Sequence, residues 1–133
     1  HGRTTVTVSV LIDTSVWVDH FRQRNAALVD LVVLDQALTH PMVVAELACG
    51  TPPAPREQTL ADIALLQMAN QASLDEVMAM IAGDKLFGLG CGLVDLVLLA
   101  STRITPGATL WTLDKRLASL AQRFGVAHQA GVH

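Results

Sequence analysis

Two acidic residues follow apolar, β-branched runs that are typical of buried strands. Asp13 comes directly after the run 8–12, and Asp114 comes directly after the run 109–113. Ligands of open α/β sheets bind at the carboxyl ends of the strands. Two acids at two such ends are therefore expected to face one cleft. Local roles stay open for both residues, because Asp13 suits an Asx-turn and Asp114 suits the N-cap of the next helix.

A second pair of acidic residues lies in segments that are predicted to be helical and are otherwise apolar. The residues one helical turn from Glu46 and from Asp95 are all apolar or small. No Lys or Arg occurs in the segments 41–50 and 86–102. An ionised carboxylate that is buried without a partner is costly. We therefore expect these acids to bind a cation, with pairing to a distant Arg or exposure to solvent as the alternatives.

The four carboxylates together predict a divalent-metal site. Ligand sets made only of oxygen favour Mg²⁺ or Mn²⁺. The two cysteines, Cys49 and Cys91, form no CxxC pair and no Cys/His zinc spacing. Two ions about 3.5–4 Å apart can bind the attacking and leaving oxygens of a phosphate displacement. The candidate catalytic and metal-binding residues are Asp13, Glu46, Asp95 and Asp114.

The elements that must position these residues alternate along the chain. Strands are predicted over 8–12, 37–39, 109–113 and 126–128, and helices over 14–24, 26–36, 41–49, 57–70, 74–82, 93–103 and 115–124. Thr14 or Ser15 is expected to cap the first helix, and Ser73 with Glu76 predicts a capping box. Strands that alternate with helices indicate an α/β sandwich with a mainly parallel sheet.

The composition fits one cytosolic domain. The chain has 133 residues, 51% of them hydrophobic, and its mean hydropathy is +0.42. No apolar run reaches 18 residues, so no membrane span is predicted. The net charge is −3, but without the four candidate ligands the acidic residues fall from 12 to 8, against 9 Lys and Arg. Both cysteines are expected to be buried free thiols, and residues 1–7 are interpreted as a tag or a disordered segment.

Four segments resemble the motifs of PIN-domain ribonucleases, and in particular the VapC-type toxins of bacterial toxin–antitoxin pairs. Their order and spacing agree over about nine-tenths of the chain. In sequence they read LIDTSVWVDHF (11–21), THPMVVAELACG (39–50), VDLVLLAS (94–101) and LWTLDKRL (110–117). Leu96, after the third acid, is a mild departure because a smaller residue is expected there.

The resemblance implies a three-layer α/β/α sandwich over residues 8–133, with the four acids holding Mg²⁺ or Mn²⁺ for hydrolysis of RNA. It also implies that the Thr112 hydroxyl, and similarly the Ser15 hydroxyl, forms a hydrogen bond with a ligand acid or a substrate phosphate. Lys115 and Arg116, beside the fourth acid, are candidates for phosphate contact, with a solvated helix face as the alternative. The expected partners are RNA, a VapB-type antitoxin and a second copy of the chain. The expected location is the cytoplasm, without membrane attachment.

Three other functions are weighed against this one. A phospho-receiver domain needs several acids near the end of the first strand, where this chain has only Asp13. A dehalogenase-type phosphatase needs Asp-x-Asp after that strand, and Asp13-Thr14-Ser15 lacks it. The third alternative keeps the fold without the activity, as a scaffold that binds RNA or protein. The intact set of four acids argues against that scaffold.

Overall fold

A computed structural model describes residues 8–129 and has mixed α/β architecture. Within these residues the chain forms a parallel sheet and seven helices. In chain order the elements are β1 (Ser9–Ile12), α1 (Thr14–Arg22), α2 (Ala26–Val33), β2 (Ala37–Thr39), α3 (Pro41–Cys49), α4 (Arg56–Ala64), β3 (Gln67–Met68), α5 (Leu74–Gly83), α6 (Leu93–Arg103), β4 (Ala108–Trp111) and α7 (Lys115–Arg123).

The sheet has four parallel strands in the order β3-β2-β1-β4. β1 lies inside the sheet, and its residues Val10, Leu11 and Ile12 are fully buried. Because successive strand residues point to opposite faces, both faces of the sheet are covered. α6 and α7 contact β4, and α2 contacts β2. The predicted α/β class with a parallel sheet is therefore confirmed.

Several predicted helix ends coincide with the observed ones because local signals determine them. Pro41 begins α3 and Gly50 follows its last residue. The predicted capping box is present at α5, where the Ser73 and Glu76 side chains satisfy each other's backbone N–H groups. α6 occupies the predicted range. The predicted last strand is reduced to one parallel bridge between Leu110 and Ala127.

Three element predictions are wrong in part. The helix predicted over 57–70 ends at Ala64, and Gln67–Met68 instead pairs with β2 as an edge strand. The helix predicted to reach residue 36 ends at Val33. The first helix is capped by the Asp13 side chain and not by Thr14 or Ser15. The first outcome depends on strand pairing that local propensity does not encode, whereas the Asp13 cap is a local hydrogen bond from the Ser15 N–H.

Neither cysteine is buried as predicted: Cys49 is exposed and Cys91 is half-buried, although both are free. No helix within residues 8–129 is long and apolar enough to cross a membrane. The prediction for residues 1–7 lies outside the described residues, and the assignment of 8–133 to one domain stays a prediction.

Candidate active site

Asp13 is a nearly buried carboxylate at the end of β1. Its exposed fraction is 5%. Its Oδ2 atom accepts hydrogen bonds from the Ser15 hydroxyl at 2.6 Å and the Thr112 hydroxyl at 2.8 Å. The Asp13 backbone N–H donates to the carbonyl of Trp111 at 2.9 Å, which joins the ends of β1 and β4. The neighbouring strand ends therefore bring Thr112 to Asp13 across 99 residues of sequence.

Both hydroxyls also accept a backbone N–H, and they lie 3.3 Å from each other. A Ser or Thr hydroxyl has one proton to donate. Ser15 Oγ accepts from the Leu113 N–H at 2.9 Å, and Thr112 Oγ1 accepts from the Asp114 N–H at 3.0 Å, so each hydroxyl donates to Asp13. Among residues 8–129, no hydrogen bond reaches the second carboxylate oxygen of Asp13, Oδ1. The arrangement therefore holds the Asp13 carboxylate in one orientation, with one oxygen left available.

The negative charges of Asp13 and Asp114 act on the carboxyl group of Asp95. The pKa of Asp95 is raised by burial first, and by the negative charges of Asp13 and Asp114, against a hydrogen bond from the Gly92 N–H at 3.1 Å. Asp114 is exposed and does not follow a strand directly, because β4 ends at Trp111. Its carboxylate caps α7 by accepting from the Leu117 N–H at 3.0 Å, which was the local alternative left open for it.

Glu46 does not occupy the inward position that its apolar neighbours suggested. Its side chain is exposed, while Val43 and Leu47 form the buried side of α3. Glu46 Oε1 accepts a hydrogen bond from the Thr14 hydroxyl at 2.6 Å, so it lies where α1 approaches α3. Glu46 therefore lines a cleft between α1 and α3 and is not a core carboxylate.

Sequence reasoning did not assign a site role to Thr14. The Thr14 hydroxyl holds Glu46, and Thr14 directly follows Asp13 in the chain. The signal was weak, because a Thr after an Asp at a helix start is also a common cap. Only the packing of α1 on α3 distinguishes the two roles.

The two basic residues beside Asp114 differ in their surroundings. Both Lys115 and Arg116 are exposed on the first turn of α7. The Arg116 guanidinium lies over Gly90 and donates to its carbonyl at 3.4 Å. Gly90 has a φ of +84°, and a Cβ there would lie 2.7 Å from Arg116 Nη1. Arg116 is therefore held against the loop before α6.

The donor set suits a hard divalent cation, but the side chains are not arranged as a metal cage. Within residues 8–129, no group of three or more His, Cys, Asp or Glu side chains is placed to hold a metal ion. Asp13, Glu46, Asp95 and Asp114 each accept a hydrogen bond from the chain itself. Their oxygens are nevertheless the ligands that Mg²⁺ and Mn²⁺ prefer, and Asp13 Oδ1 is available. The chemistry of the residues therefore fits such an ion.

Comparison with known proteins gives a consistent family assignment. The family model described as "PIN domain" matches residues 10–122. A curated relative, Ribonuclease VapC32 of Mycobacterium tuberculosis, is 42% identical over 118 residues, covering 89% of this chain and 94% of the relative.

Two solved structures share the fold at low sequence identity. The first is VapBC-1 from nontypeable Haemophilus influenzae, with a TM-score of 0.60, 16% identity, and coverage of 92% of this chain and 97% of that one. The second is PAE2754 from Pyrobaculum aerophilum, with a TM-score of 0.58, 16% identity, and coverage of 93% and 94%. At this identity they support the fold alone. From the sequence matches, the chain belongs to the PIN-domain family, among the VapC-type ribonucleases.

Proposed function

We propose that this protein is a metal-dependent endoribonuclease that hydrolyses RNA phosphodiester bonds and acts as the toxin of a toxin–antitoxin pair. VapC ribonucleases of the PIN-domain family generally depend on divalent metal ions. The observation that carries the proposal for this chain is the Asp13 carboxylate. It is nearly buried and held through Oδ2 by two hydroxyls, its Oδ1 is available, and its charge acts on Asp95 together with that of Asp114.

Each residue of the candidate site has a distinct proposed role. Asp13, Glu46, Asp95 and Asp114 would hold Mg²⁺ or Mn²⁺, which when bound activates water and offsets negative charge on the phosphate. Ser15 and Thr112 keep the Asp13 carboxylate in one orientation, and Thr14 does the same for Glu46. Lys115, which makes no ion pair among residues 8–129, is placed at the helix start to attract substrate phosphate.

Cleavage of a defined RNA by the purified protein tests this function. We expect endonucleolytic products with Mg²⁺ or Mn²⁺, no products in EDTA, and a loss of at least about 100-fold in rate for Asp13→Asn, since Asn keeps the shape but loses the anionic oxygen. The Asp75→Asn variant, which changes an exposed acid on α5, is the matched control and should cleave normally.

Two outcomes would contradict the proposal. Equal cleavage in EDTA, or by Asp13→Asn, would point to a contaminant or to another mechanism. RNA binding without cleavage by the wild type, in the presence of metal, would favour the inactive scaffold instead.

A VapB-type antitoxin is the proposed protein partner, and an exposed apolar surface supports it. A groove of about 220 Å³ between α1, α2 and α4 is lined by apolar side chains such as Leu28, Val32 and Ile63. At its edge Val33 is 76% exposed. The indole N–H of Trp17, also in this groove, is buried without a hydrogen-bond partner among residues 8–129. Such surfaces mark protein contacts.

A homodimer and a cytoplasmic location are proposed as well. A homodimer is proposed because further large apolar side chains are exposed away from this groove, namely Leu74, Met78 and Phe87. A cytoplasmic location follows from the proposed action on cellular RNA.

A further inference from the structure

The cleft that Glu46 lines, between α1 and α3, extends toward the end of α1. Its volume is about 460 Å³, within the range of ligand pockets. Thr14, Val18, Phe21 and Arg22 line it from α1, at spacings that place them along one face of the helix. Glu46, one of the four candidate acids, itself lines the cleft and is held there by Thr14, so the cleft adjoins the candidate active site at this residue.

The floor of this α1–α3 cleft is apolar and contains a supported aromatic ring. The Phe21 ring lies 6.3 Å from the Trp17 ring, centroid to centroid, with 34° between the ring planes. Trp17 is itself buried, so it holds the Phe21 ring from behind. An aromatic side chain that lines a cleft and is fixed in this way suits stacking against a flat, unpaired base.

Pro52 and Pro53 form a stiff wall of the α1–α3 cleft, because their rings restrict the backbone. The Pro53 carbonyl accepts a hydrogen bond from the Thr59 hydroxyl at 2.8 Å, and the Arg56 guanidinium donates to the Ala48 carbonyl at 2.9 Å. These bonds attach the wall to α3 and α4. The cleft is therefore formed before any ligand arrives, which lowers the entropy cost of binding.

Arg22 provides a positive charge at the far end of the cleft. It makes no ion pair and no side-chain hydrogen bond among residues 8–129. Eight residues separate it from Thr14, which corresponds to about 12 Å along a helix axis. The Arg22 side chain is therefore available to neutralise a phosphate next to the one at Glu46.

We propose that the α1–α3 cleft binds one unpaired nucleotide of the RNA next to the scissile phosphate. Its base stacks on Phe21 opposite Pro52 and Pro53, and the next phosphate pairs with Arg22. This inference rests on the proposed ribonuclease function and adds a determinant of which RNA is cut. The combination of an aromatic ring, a cation without an ion-pair partner and a candidate ligand carboxylate along one cleft favours a nucleotide over an apolar peptide segment.

A scan with abasic nucleotides tests the stacking. A single-stranded RNA with a mapped cleavage site is made in versions that each lack one base near that site. In the wild type, one abasic position should lower kcat/KM by about 5- to 100-fold, the scale of one base–aromatic stack. In Phe21→Leu, which keeps apolar volume against Trp17, the same abasic position should cause little further loss.

Binding measured without catalysis supplies an independent readout. Fluorescently labelled versions of the same RNA are titrated into Asp13→Asn in EDTA, with and without Phe21→Leu or Arg22→Ala. Arg22→Ala should reduce the slope of log affinity against log salt concentration by about 0.7, the value for one phosphate contact on a single strand. Arg24→Ala, which removes an exposed Arg outside the cleft, should leave the slope unchanged.

The outcomes separate this inference from the proposed function. If the wild type binds RNA with the expected abasic pattern but does not cleave it, the nucleotide site stands and the ribonuclease function fails. If the wild type cleaves RNA but folded Phe21→Leu responds to every abasic position as the wild type does, the nucleotide site is wrong. If Phe21→Leu instead weakens only the binding of a VapB-type antitoxin, the cleft is a protein site and the inference is also overturned.

Discussion

At the scale of single residues, hydroxyl groups position the carboxylates. Ser15 and Thr112 direct their protons to one oxygen of Asp13, and Thr14 directs its proton to Glu46. Among residues 8–129, Asp95 has only the Gly92 N–H as a hydrogen-bond partner, while burial and its acidic neighbours raise its pKa. The site therefore contains one acid whose ionisation is opposed by its surroundings.

We expect Asp95→Asn to be inactive yet at least as stable as the wild type at pH 7 in EDTA. A raised pKa in the folded state means that the native protein binds more protons, so this contribution to stability is present at acid pH and lost as pH rises through the folded pKa. Asn removes the charge and keeps an acceptor for the Gly92 N–H. The gain should stay under about 1 kcal/mol, because solvent screens a half-exposed group.

Thermal melts in EDTA at pH 7 and pH 3.5 measure this effect. The difference between Asp95→Asn and the wild type should shrink at pH 3.5, where the carboxyl group is protonated. Asp84→Asn is the contrasting control, because it removes an ion pair with Arg103 at 3.3 Å and should not stabilise. A melting temperature of Asp95→Asn well below the wild type at pH 7 would show that Asp95 makes a structural pairing.

At the scale of elements, a buried histidine links the two helices that carry Glu46 and Asp95. His40, 3% exposed, caps α3 by accepting the Met42 N–H on Nδ1 at 3.0 Å. Its Nε2 lies 3.2 Å from the Ser101 hydroxyl on α6. Because Nδ1 is an acceptor, the ring is neutral and Nε2 is the donor. Burial lowers the pKa of His40, so protonation opposes the burial of this ring between the start of α3 and Ser101 of α6.

We expect His40 to make the protein less stable in mild acid. A lowered folded pKa means that the unfolded chain binds more protons, so this stability is present above the unfolded value of about 6.5 and is lost as pH falls below it. His40→Asn keeps an N-cap acceptor without a titrating ring. Its melting temperature should therefore change less between pH 7.5 and pH 5, even if lost packing lowers it overall.

The measurement is the slope of melting temperature against pH. Burial also lowers the pKa of His128, so His128→Gln is introduced into both the wild type and His40→Asn. The two compared proteins then differ only at residue 40. An unchanged slope in His40→Asn would show that the protonation of His40 is not linked to folding.

At the scale of the whole molecule, metal binding should stabilise the fold because the acids come from separate parts of it. Asp13 follows β1, Glu46 lies on α3, Asp95 on α6 and Asp114 before α7. At a free Mg²⁺ concentration about ten times its dissociation constant, mass action contributes roughly 1.4 kcal/mol. We expect the wild type to melt several degrees higher in Mg²⁺ than in EDTA, and Asp13→Asn to gain distinctly less.

Calorimetry of both proteins, with Asp75→Asn as the control, checks this expectation. Asp75→Asn should gain as much as the wild type because Asp75 is an exposed residue on α5. An equal gain in Asp13→Asn would mean that Mg²⁺ binds elsewhere or acts only through ionic strength.

The amino-acid sequence by itself determined the features that depend on neighbouring residues. Pro41 and Gly50 delimit α3, and the Ser73–Glu76 pair begins α5, because capping and helix termination act within a few residues. The apolar run that becomes β1 predicted a buried strand before Asp13. Since the candidate acids are defined by residue type within such elements, the class of fold and the candidate ligands were readable without coordinates.

Only the tertiary structure decided the contacts that join distant segments. Gln67–Met68 becomes a strand because β2 offers it an edge, although nothing local distinguishes it from a helix end. Glu46 faces a cleft and not the core because Thr14, 32 residues earlier, holds it there. Arg116 lies on Gly90 because that loop packs against α7. Contacts of this kind depend on how elements pack, and residue types and spacing along the chain do not specify that packing.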